Sequence, residues 1–292
     1  MADGEEIQPR MKPEAKSQYR FLVYDRPAEG VARITLNRPE VLNAVNVGLL
    51  EEIYAAARVA ADDPEVAVLV YRGAGRAFCV GRDFKESGEL QEKEGWSAWR
   101  RRFRDFGAET WLHPKATIAQ VHGYALGGGQ NLAISCDITI CSEDARFGYP
   151  EARFGTLAGR RHLWNDFVGP KKTKEFIFTG RQFDAQEALR IGLVNHVQPA
   201  ADLEAFVMTM AADIVAIERR HPGYVRSNKF EINSRHPDIL VQSSVNAEVA
   251  ASTGFETEYI IHTHDAQEGF FKGIAKEGAK AGIEKLNEGF SG

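Results

Sequence analysis

The chain has 292 residues, of which 43% are hydrophobic and 26% are charged, and its net charge is −5. With a mean hydropathy of −0.33, this is the composition of a soluble globular protein and not of a disordered or fibrous chain. The acidic balance disfavours nucleic acid as a partner, and the sequence lacks the run of about 18 apolar residues that a membrane helix needs.

Short β-like runs alternate with helical stretches from Phe21 onward, which is typical of an α/β fold with many crossover connections. A hairpin is predicted first, and Asn46 then caps a helix that ends at residues 62–64. A further helix is predicted between the last two strands. Repeated units of this kind indicate a spiral or layered sheet rather than two unrelated domains. The predicted strands are residues 21–25, 31–36, 66–71, 117–121 and 138–141.

The two ends of the chain differ from this central part. Residues 1–18 are polar and lack the apolar core of a signal peptide, so we predict a disordered lead-in and a cytoplasmic protein. From Asp184 the sequence becomes mostly helical. Its last thirty residues include Phe270 and Phe271, which fit either a subunit contact or core packing.

The sequence excludes several common kinds of site. Cys79, Cys136 and Cys141 lie in apolar stretches without C-x-x-C spacing, which predicts buried free thiols rather than disulfides or a zinc site. The motifs of serine hydrolases, zinc proteases and phosphate-binding loops are absent. His262 and His264 have no third ligand nearby, so no metal is expected there.

Two glycine turns are the most informative feature. Gly127, Gly128 and Gly129 follow a strand and precede a helix, so backbone N–H groups can approach a ligand without a Cβ in the way. A second turn at Gly81 places the N–H of Arg82 where it can face the same pocket. Either turn alone fits a tight chain reversal, but two backbone donors from two turns predict an oxyanion hole.

Five segments together carry a pattern that is more specific than any one of them. In their order and spacing they resemble the enoyl-CoA hydratase/isomerase (crotonase) superfamily. The resemblance implies an α/β fold of the ClpP/crotonase type, a spiral of ββα units followed by a helical C-terminal trimerisation region. The segments are LNRPEVLNAVN (36–46), GRAFCVGRDFKE (75–86), IAQVHGYALGGGQNLAISCD (118–137), ARFGYPEARFGTLAG (145–159) and TGRQFDAQEALRIGLVNHVQP (179–199).

The resemblance also implies an organisation and a substrate. After the lead-in at 1–18, it assigns residues 19–199 to the spiral core and residues 200–292 to the helical C-terminal region. It implies an acyl-CoA thioester substrate, with coenzyme A as part of the substrate and no separate cofactor. It further implies a homotrimer or a dimer of trimers, with neither nucleic acid nor membrane as a partner.

The family's site positions carry over residue by residue. The oxyanion hole falls on the backbone N–H groups of Arg82 and Gly128, and the acid/base position falls on Glu151. Hydratases of the family commonly carry a second glutamate where this chain has Asn131. An amide cannot act as a base near neutral pH, but it can hold a water or a substrate group. The coenzyme A wall falls near Val41, Val80 and Lys85.

Two further segments concern the acyl group. The segment 155–164 departs from the family pattern through Arg160, Arg161 and His162, which fit either an unusual acyl group or a solvated basic turn. Residues 96–113 predict an amphipathic helix whose aromatic side chains border the acyl pocket or pack in the core. These aromatic residues are Trp96, Trp99, Phe103, Phe106 and Trp111.

We therefore expect an acyl-CoA enzyme in which the oxyanion hole stabilises an enolate and Glu151 acts as acid and base, with hydration of an enoyl-CoA as the first reading. A double-bond isomerase is the second, because one base that moves a proton between two carbons needs no second carboxylate. An aromatic hydratase-lyase and a ring-ketone CoA hydrolase are further alternatives. A non-catalytic subunit that binds CoA esters is the alternative of another class.

Overall fold

The structure is a computed structural model that describes residues 19–94, 107–154 and 161–233. Strands and helices alternate through these residues, as expected for an α/β fold. Within the same ranges, no helix is long and apolar enough to cross a membrane.

The larger sheet contains six of the described strands. They are β1 (Leu22–Ala28), β2 (Val31–Leu36), β3 (Val68–Gly73), β5 (Ala116–Val121), β7 (Ile138–Ser142) and β10 (His196–Gln198), in that spatial order. Strands β1 and β2 form the predicted antiparallel hairpin. The remaining neighbours pair in parallel, so the chain must cross over between them.

A smaller sheet lies beside the larger one. Its described strands, in spatial order, are β4 (Ala77–Cys79), β6 (Tyr124–Leu126), β8 (Arg146–Gly148) and β9 (Gln182–Asp184). Strands β4, β6 and β8 pair in parallel, and each follows a strand of the larger sheet along the chain. The chain therefore alternates between the two sheets and then turns into a helix, which confirms the predicted spiral of ββα units.

Helices connect and cover the strands. Asn46 caps the first of them, since its Oδ1 accepts a hydrogen bond of 2.8 Å from Leu49 N, as predicted. The fifth is broken at Gly169, which has a φ of 77° and precedes Pro170. The helices are α1 (Val47–Asp62), α2 (Phe84–Glu94), α3 (Ala108–Trp111), α4 (Gly128–Ser135), α5 (Arg161–Thr179), α6 (Ala185–Arg190), α7 (Leu203–Arg220) and α8 (Tyr224–Asn233), with short 3-10 helices at Pro39–Val41 and Pro150–Phe154.

Hydrophobic packing joins the helices to both faces of the larger sheet. Helix α7 buries one side chain per turn against one face, where β2, β3, β5 and β7 contribute valine and isoleucine. Helices α1 and α4 cover the opposite face together with the smaller sheet. The side chains that α7 buries are Leu203, Val207, Ala211 and Val215.

The element boundaries differ from the predicted ones in a few places. Strand β3 begins at Val68 rather than at Val66, because the N–H groups of Ala67 and Val68 both donate to the carbonyl of Gly30 in a turn. Strands β6, β9 and β10 were not predicted. The lead-in, residues 95–106 of the aromatic segment and everything after residue 233 lie outside the described residues. The domain boundaries, Phe270, Phe271, His262 and His264 therefore stay predictions.

A buried lysine attaches the last described helix to the sheet. Lys229 Nζ lies 2.8 Å from Asp137 Oδ2 and 3.3 Å from the carbonyl oxygen of Lys115, and its side chain is only 9% exposed. The same Asp137 carboxylate accepts hydrogen bonds of 2.7 and 2.9 Å from Thr117 N and Oγ1. Helix α8 is thus anchored where β5 and β7 begin.

We expect Lys229→Met to lower the free energy of unfolding by about 3 kcal/mol, because it removes one partner of a mostly buried ion pair. Arg58→Met breaks the Arg58–Glu109 pair, in which the arginine side chain is 71% exposed. This control should cost less than about 1 kcal/mol. Urea unfolding of both variants measures the difference, and equal losses would contradict the structural role of Lys229.

Candidate active site

The two predicted glycine turns lie in direct backbone contact. A Cβ added to Gly81 would lie 3.0 Å from Gly128 N and 3.0 Å from the carbonyl oxygen of Leu126. One added to Gly129 would lie 2.0 Å from the carbonyl oxygen of Cys79, closer than any real contact. Gly81 also has a φ of 93°, which disfavours any other residue there. The sequence therefore needs glycine at both turns for the backbones to approach each other.

The backbone at Arg82 is oriented by its neighbours. Val45 N donates to the carbonyl of Gly81 at 2.7 Å, and Asp83 N donates to the carbonyl of Val45 at 3.0 Å. Because alternate residues of an extended chain direct their N–H groups to opposite sides, the Arg82 N–H faces away from Val45. Gly128 begins α4, where backbone N–H groups have no acceptor within the helix.

The start of α4 is also joined to the end of β8. Gly127 N donates to the carbonyl of Gly148 at 2.9 Å, and Gly148 N donates to Gln130 Oε1 at 2.6 Å. Gln130 is fully buried, so this side-chain bond is shielded from water. The segment after β8 is therefore fixed relative to the glycine turn.

Glu151 belongs to the segment that is fixed in this way. It follows Gly148 by three residues and lies in the 3-10 helix Pro150–Phe154. Its backbone is described and its side chain is not, so its acid/base role stays a prediction. Arg161 and His162 begin α5, with side chains outside the described part, and Arg160 lies outside it altogether.

Asn131 lies on α4 one turn after Gly128, with only 8% of its surface exposed. Residues three apart share a face of a helix, and side chains tilt toward the helix N-terminus, so Asn131 extends toward the Gly128 turn. The hydroxyl of Tyr149, which is fully buried, donates a hydrogen bond to Asn131 Oδ1. Sequence reasoning identified Asn131 but missed Tyr149 and Gln130.

The three residues expected at the coenzyme A wall lie near the turn at residues 79–82. Val41 ends the 3-10 helix Pro39–Val41 and is 38% exposed. Val80 N donates to the carbonyl of Leu42 at 3.2 Å, which brings the two valine segments together. Lys85 lies exposed in the first turn of α2, where its N–H donates to Asp83 Oδ1 at 3.2 Å. Their contact with coenzyme A stays a prediction.

Asn43 joins these segments, and sequence reasoning missed it. Its side chain is fully buried, and its Nδ2 lies 2.9, 2.8 and 3.2 Å from the carbonyl oxygens of Ala74, Ala77 and Phe78. Its Oδ1 accepts a hydrogen bond of 2.9 Å from Arg38 N. With a φ of 57°, it adopts the left-handed conformation that asparagine tolerates better than most residues.

The remaining expectations concern cysteine and metal. All three cysteines are free and buried, as predicted. Cys79 lies beside the site, where its Sγ accepts a hydrogen bond of 3.4 Å from Gly81 N. In the part of the chain that the structure describes, no three His, Cys, Asp or Glu side chains are grouped as a metal ion would require.

Comparison with known proteins gives consistent matches. The family model described as enoyl-CoA hydratase/isomerase matches residues 26–268. A probable enoyl-CoA hydratase from Mycobacterium tuberculosis is 35% identical over 246 residues, which are 82% of this chain and 91% of that protein. A short-chain-enoyl-CoA hydratase from Clostridium acetobutylicum is 38% identical over 211 residues, 70% of this chain and 77% of that protein.

Solved structures show the same similarity. An enoyl-CoA hydratase/isomerase from Xanthobacter autotrophicus Py2 has a TM-score of 0.80 and 35% identity, covering 94% of this chain and 100% of that chain. An enoyl-CoA hydratase from Mycobacterium smegmatis has a TM-score of 0.77 and 26% identity, covering 92% and 94% of the two chains. The predicted fold class is therefore confirmed.

We expect Asn43→Asp to lower the free energy of unfolding by about 3 kcal/mol, because a carboxylate cannot donate to the three buried carbonyl groups. Asn195→Asp is the matched control, since Asn195 Oδ1 accepts a hydrogen bond of 2.8 Å from Thr139 N and a carboxylate also accepts. Its effect should stay within about 0.5 kcal/mol. Chemical unfolding measures both, and a mild effect of Asn43→Asp would refute the role of its amide.

We expect the thiols to be unreactive in the native protein. Burial raises the pKa of Cys79 and Cys141 to about 12 and also raises the pKa of Cys136. At pH 8 a thiol-specific reagent should label the protein only after unfolding. These thiols lose protons at about pH 8.5 in the unfolded chain, so their contribution to stability is complete below that pH and decreases above it. Rapid labelling of native protein would contradict this expectation.

Proposed function

Because this chain belongs to the enoyl-CoA hydratase/isomerase family, we propose that it is an enzyme that adds water across the double bond of an enoyl-CoA thioester. The observation that carries the proposal is the backbone contact between the Gly81 turn and Gly128 at the start of α4. A site of this kind suits a thioester, because its carbonyl oxygen becomes negatively charged as the enolate forms.

The backbone N–H groups of Arg82 and Gly128 bind the thioester oxygen. They stabilise the enolate more than the neutral carbonyl, and each donor of this kind contributes about 3 to 4 kcal/mol in comparable enzymes. The close packing of the turns supports this assignment, since fixed dipoles need no rearrangement during the reaction. Val41, Val80 and Lys85 lie along the adjoining wall and contact coenzyme A.

Glu151 moves the proton. It takes a proton from a water whose oxygen attacks Cβ, and the electron pair of the double bond shifts toward the thioester oxygen. The protonated Glu151 then delivers a proton to Cα, so that one water has been added. Asn131 holds the water or the new hydroxyl by hydrogen bonds and does not exchange protons. No metal or separate cofactor takes part in this scheme.

We include an assembly and a compartment in the proposal. Large apolar side chains are exposed on the described helices, with Phe178 and Phe230 both 75% exposed and Ile232 65% exposed. They support a homotrimer or a dimer of trimers, because patches of this kind usually face another subunit. Buried free thiols support a reducing compartment, the cytoplasm.

The isomerase is the second candidate, and Asn131 is the observation that favours it. With an amide at the position of the second carboxylate, one base can remove a proton from one carbon and return it two carbons away. The two reactions differ in their products, because hydration adds a hydroxyl group and isomerisation does not. The same analysis separates the lyase and hydrolase alternatives, which release a shorter acyl-CoA or free coenzyme A.

We expect Glu151→Gln to lower kcat for the best enoyl-CoA by about 10²- to 10⁴-fold, because the amide neither takes nor gives a proton. Thioester affinity should change little. Glu143→Gln, on an exposed turn after β7, is the control and should retain full activity. Turnover is followed by chromatography of the acyl-CoA products in deuterated water, in which a hydratase forms a hydroxyacyl-CoA labelled at Cα.

Two results would reject parts of this proposal. Full activity of Glu151→Gln would remove Glu151 from the acid/base role. Thioester binding without turnover of short, branched, aromatic or cyclic enoyl-CoAs would indicate a non-catalytic subunit instead.

A further inference from the structure

The hydrogen bond between Tyr149 and Asn131 determines which end of the Asn131 amide remains for a ligand. The Tyr149 hydroxyl occupies Oδ1. Among the described residues, none accepts a hydrogen bond from Asn131 Nδ2, and 8% of the residue remains exposed. The amide N–H groups are therefore the part of Asn131 that can meet a ligand.

The position of the Tyr149 hydroxyl is itself fixed by aromatic packing. The rings of Tyr149 and Trp164 meet edge to face, with centroids 5.6 Å apart and an interplanar angle of 67°. Trp164 in turn contacts Phe176 and Phe183, each with centroids 5.9 Å away. All four side chains are buried, so the phenol cannot follow a rotation of Asn131.

The backbone on either side is fixed as well. Tyr149 follows Gly148, which is bound to both Gly127 and Gln130 at the start of α4. Asn131 lies on that same helix, one turn from Gly128. The phenol and the amide are thus attached to two segments that cannot move apart without breaking buried hydrogen bonds.

We propose that Tyr149 is a positioning residue that holds the Asn131 amide so that it donates to an oxygen at Cβ of the acyl group. This inference rests on the proposed function, because it assumes that the acyl chain lies beside α4. It assigns a substrate class: acyl-CoA esters that carry, or acquire by hydration, an oxygen at Cβ that accepts a hydrogen bond. A glutamate at position 131 would instead accept a hydrogen bond from that oxygen.

A binding experiment tests this without turnover. Calorimetry compares acetoacetyl-CoA, whose Cβ oxygen accepts hydrogen bonds, with butyryl-CoA, which has no oxygen there. We expect the native protein to prefer acetoacetyl-CoA by about fivefold or more from this contact, the usual size of one hydrogen bond. Tyr149→Phe keeps the ring but should reduce the preference to less than about twofold. Asn131→Asp, which keeps the shape but loses the donor, should abolish it.

A double-mutant cycle shows whether Tyr149 acts through Asn131. On crotonyl-CoA, Tyr149→Phe should lower kcat by about tenfold with little change in KM, and it should change kcat by less than about twofold when Asn131 is already alanine. Tyr71→Phe is the control, because Tyr71 is also fully buried and its hydroxyl contacts Thr110 Oγ1 in the core at 3.5 Å. It should leave both readouts unchanged.

The outcomes separate this inference from the proposed function. An unchanged ligand preference in Tyr149→Phe, or equal effects of Tyr149→Phe with and without Asn131, would overturn the positioning role. If Tyr149→Phe does not fold, an unchanged preference in Asn131→Asp would overturn it. Absence of hydration by the native protein would reject the hydratase, while the two binding arms would still decide the role of Tyr149.

Discussion

Two stretches of backbone lie so close together that no side chain fits between them, and the site depends on this contact. The turn at residues 79–82 ends β4, and the glycines at 127–129 lead from β6 into α4. Parallel pairing of β4 with β6 brings the two turns to the same edge of the smaller sheet. Glycine at both turns is therefore a steric requirement of the fold as well as of the chemistry.

Buried polar side chains hold this contact from two sides. Asn43 joins the loop after β2 to the carbonyl groups before and within β4, and Gln130 joins α4 to the end of β8. Arg38 adds a third connection, since it pairs with Asp83 at 2.9 Å beyond the Arg82 turn. Each of these groups would be costly to leave unpaired in the interior, so small displacements of the turns are opposed from both directions.

The sequence was most informative where a signal extends over several residues. Strands β2, β3, β5 and β7 are continuous apolar runs, and Asn46 caps α1 as its position predicts. Strands β6 and β9 have three residues each, too few to show a period, and they form because neighbouring strands supply their hydrogen bonds.

The candidate site shows the same limit. The pairing of the glycine turns followed from their common pattern of strand, turn and helix, and Glu151 and Asn131 came from the family resemblance. Asn43 and Tyr149 gave no comparable signal, because their partners are distant in sequence. The Ala77 carbonyl is 34 residues from Asn43, and Asn131 is 18 residues from Tyr149. Contacts of this kind become visible only when the chain is folded.

The bond from Gly148 N to Gln130 Oε1 also bears on how this family can diverge. A residue without an acceptor at position 130 would leave the Gly148 amide buried and unpaired, unless another group replaced the lost oxygen. Position 130 and the chain around Gly148 should therefore change together over evolutionary time. Homologues with an apolar residue at the first position should show a compensating difference at the end of the strand that corresponds to β8.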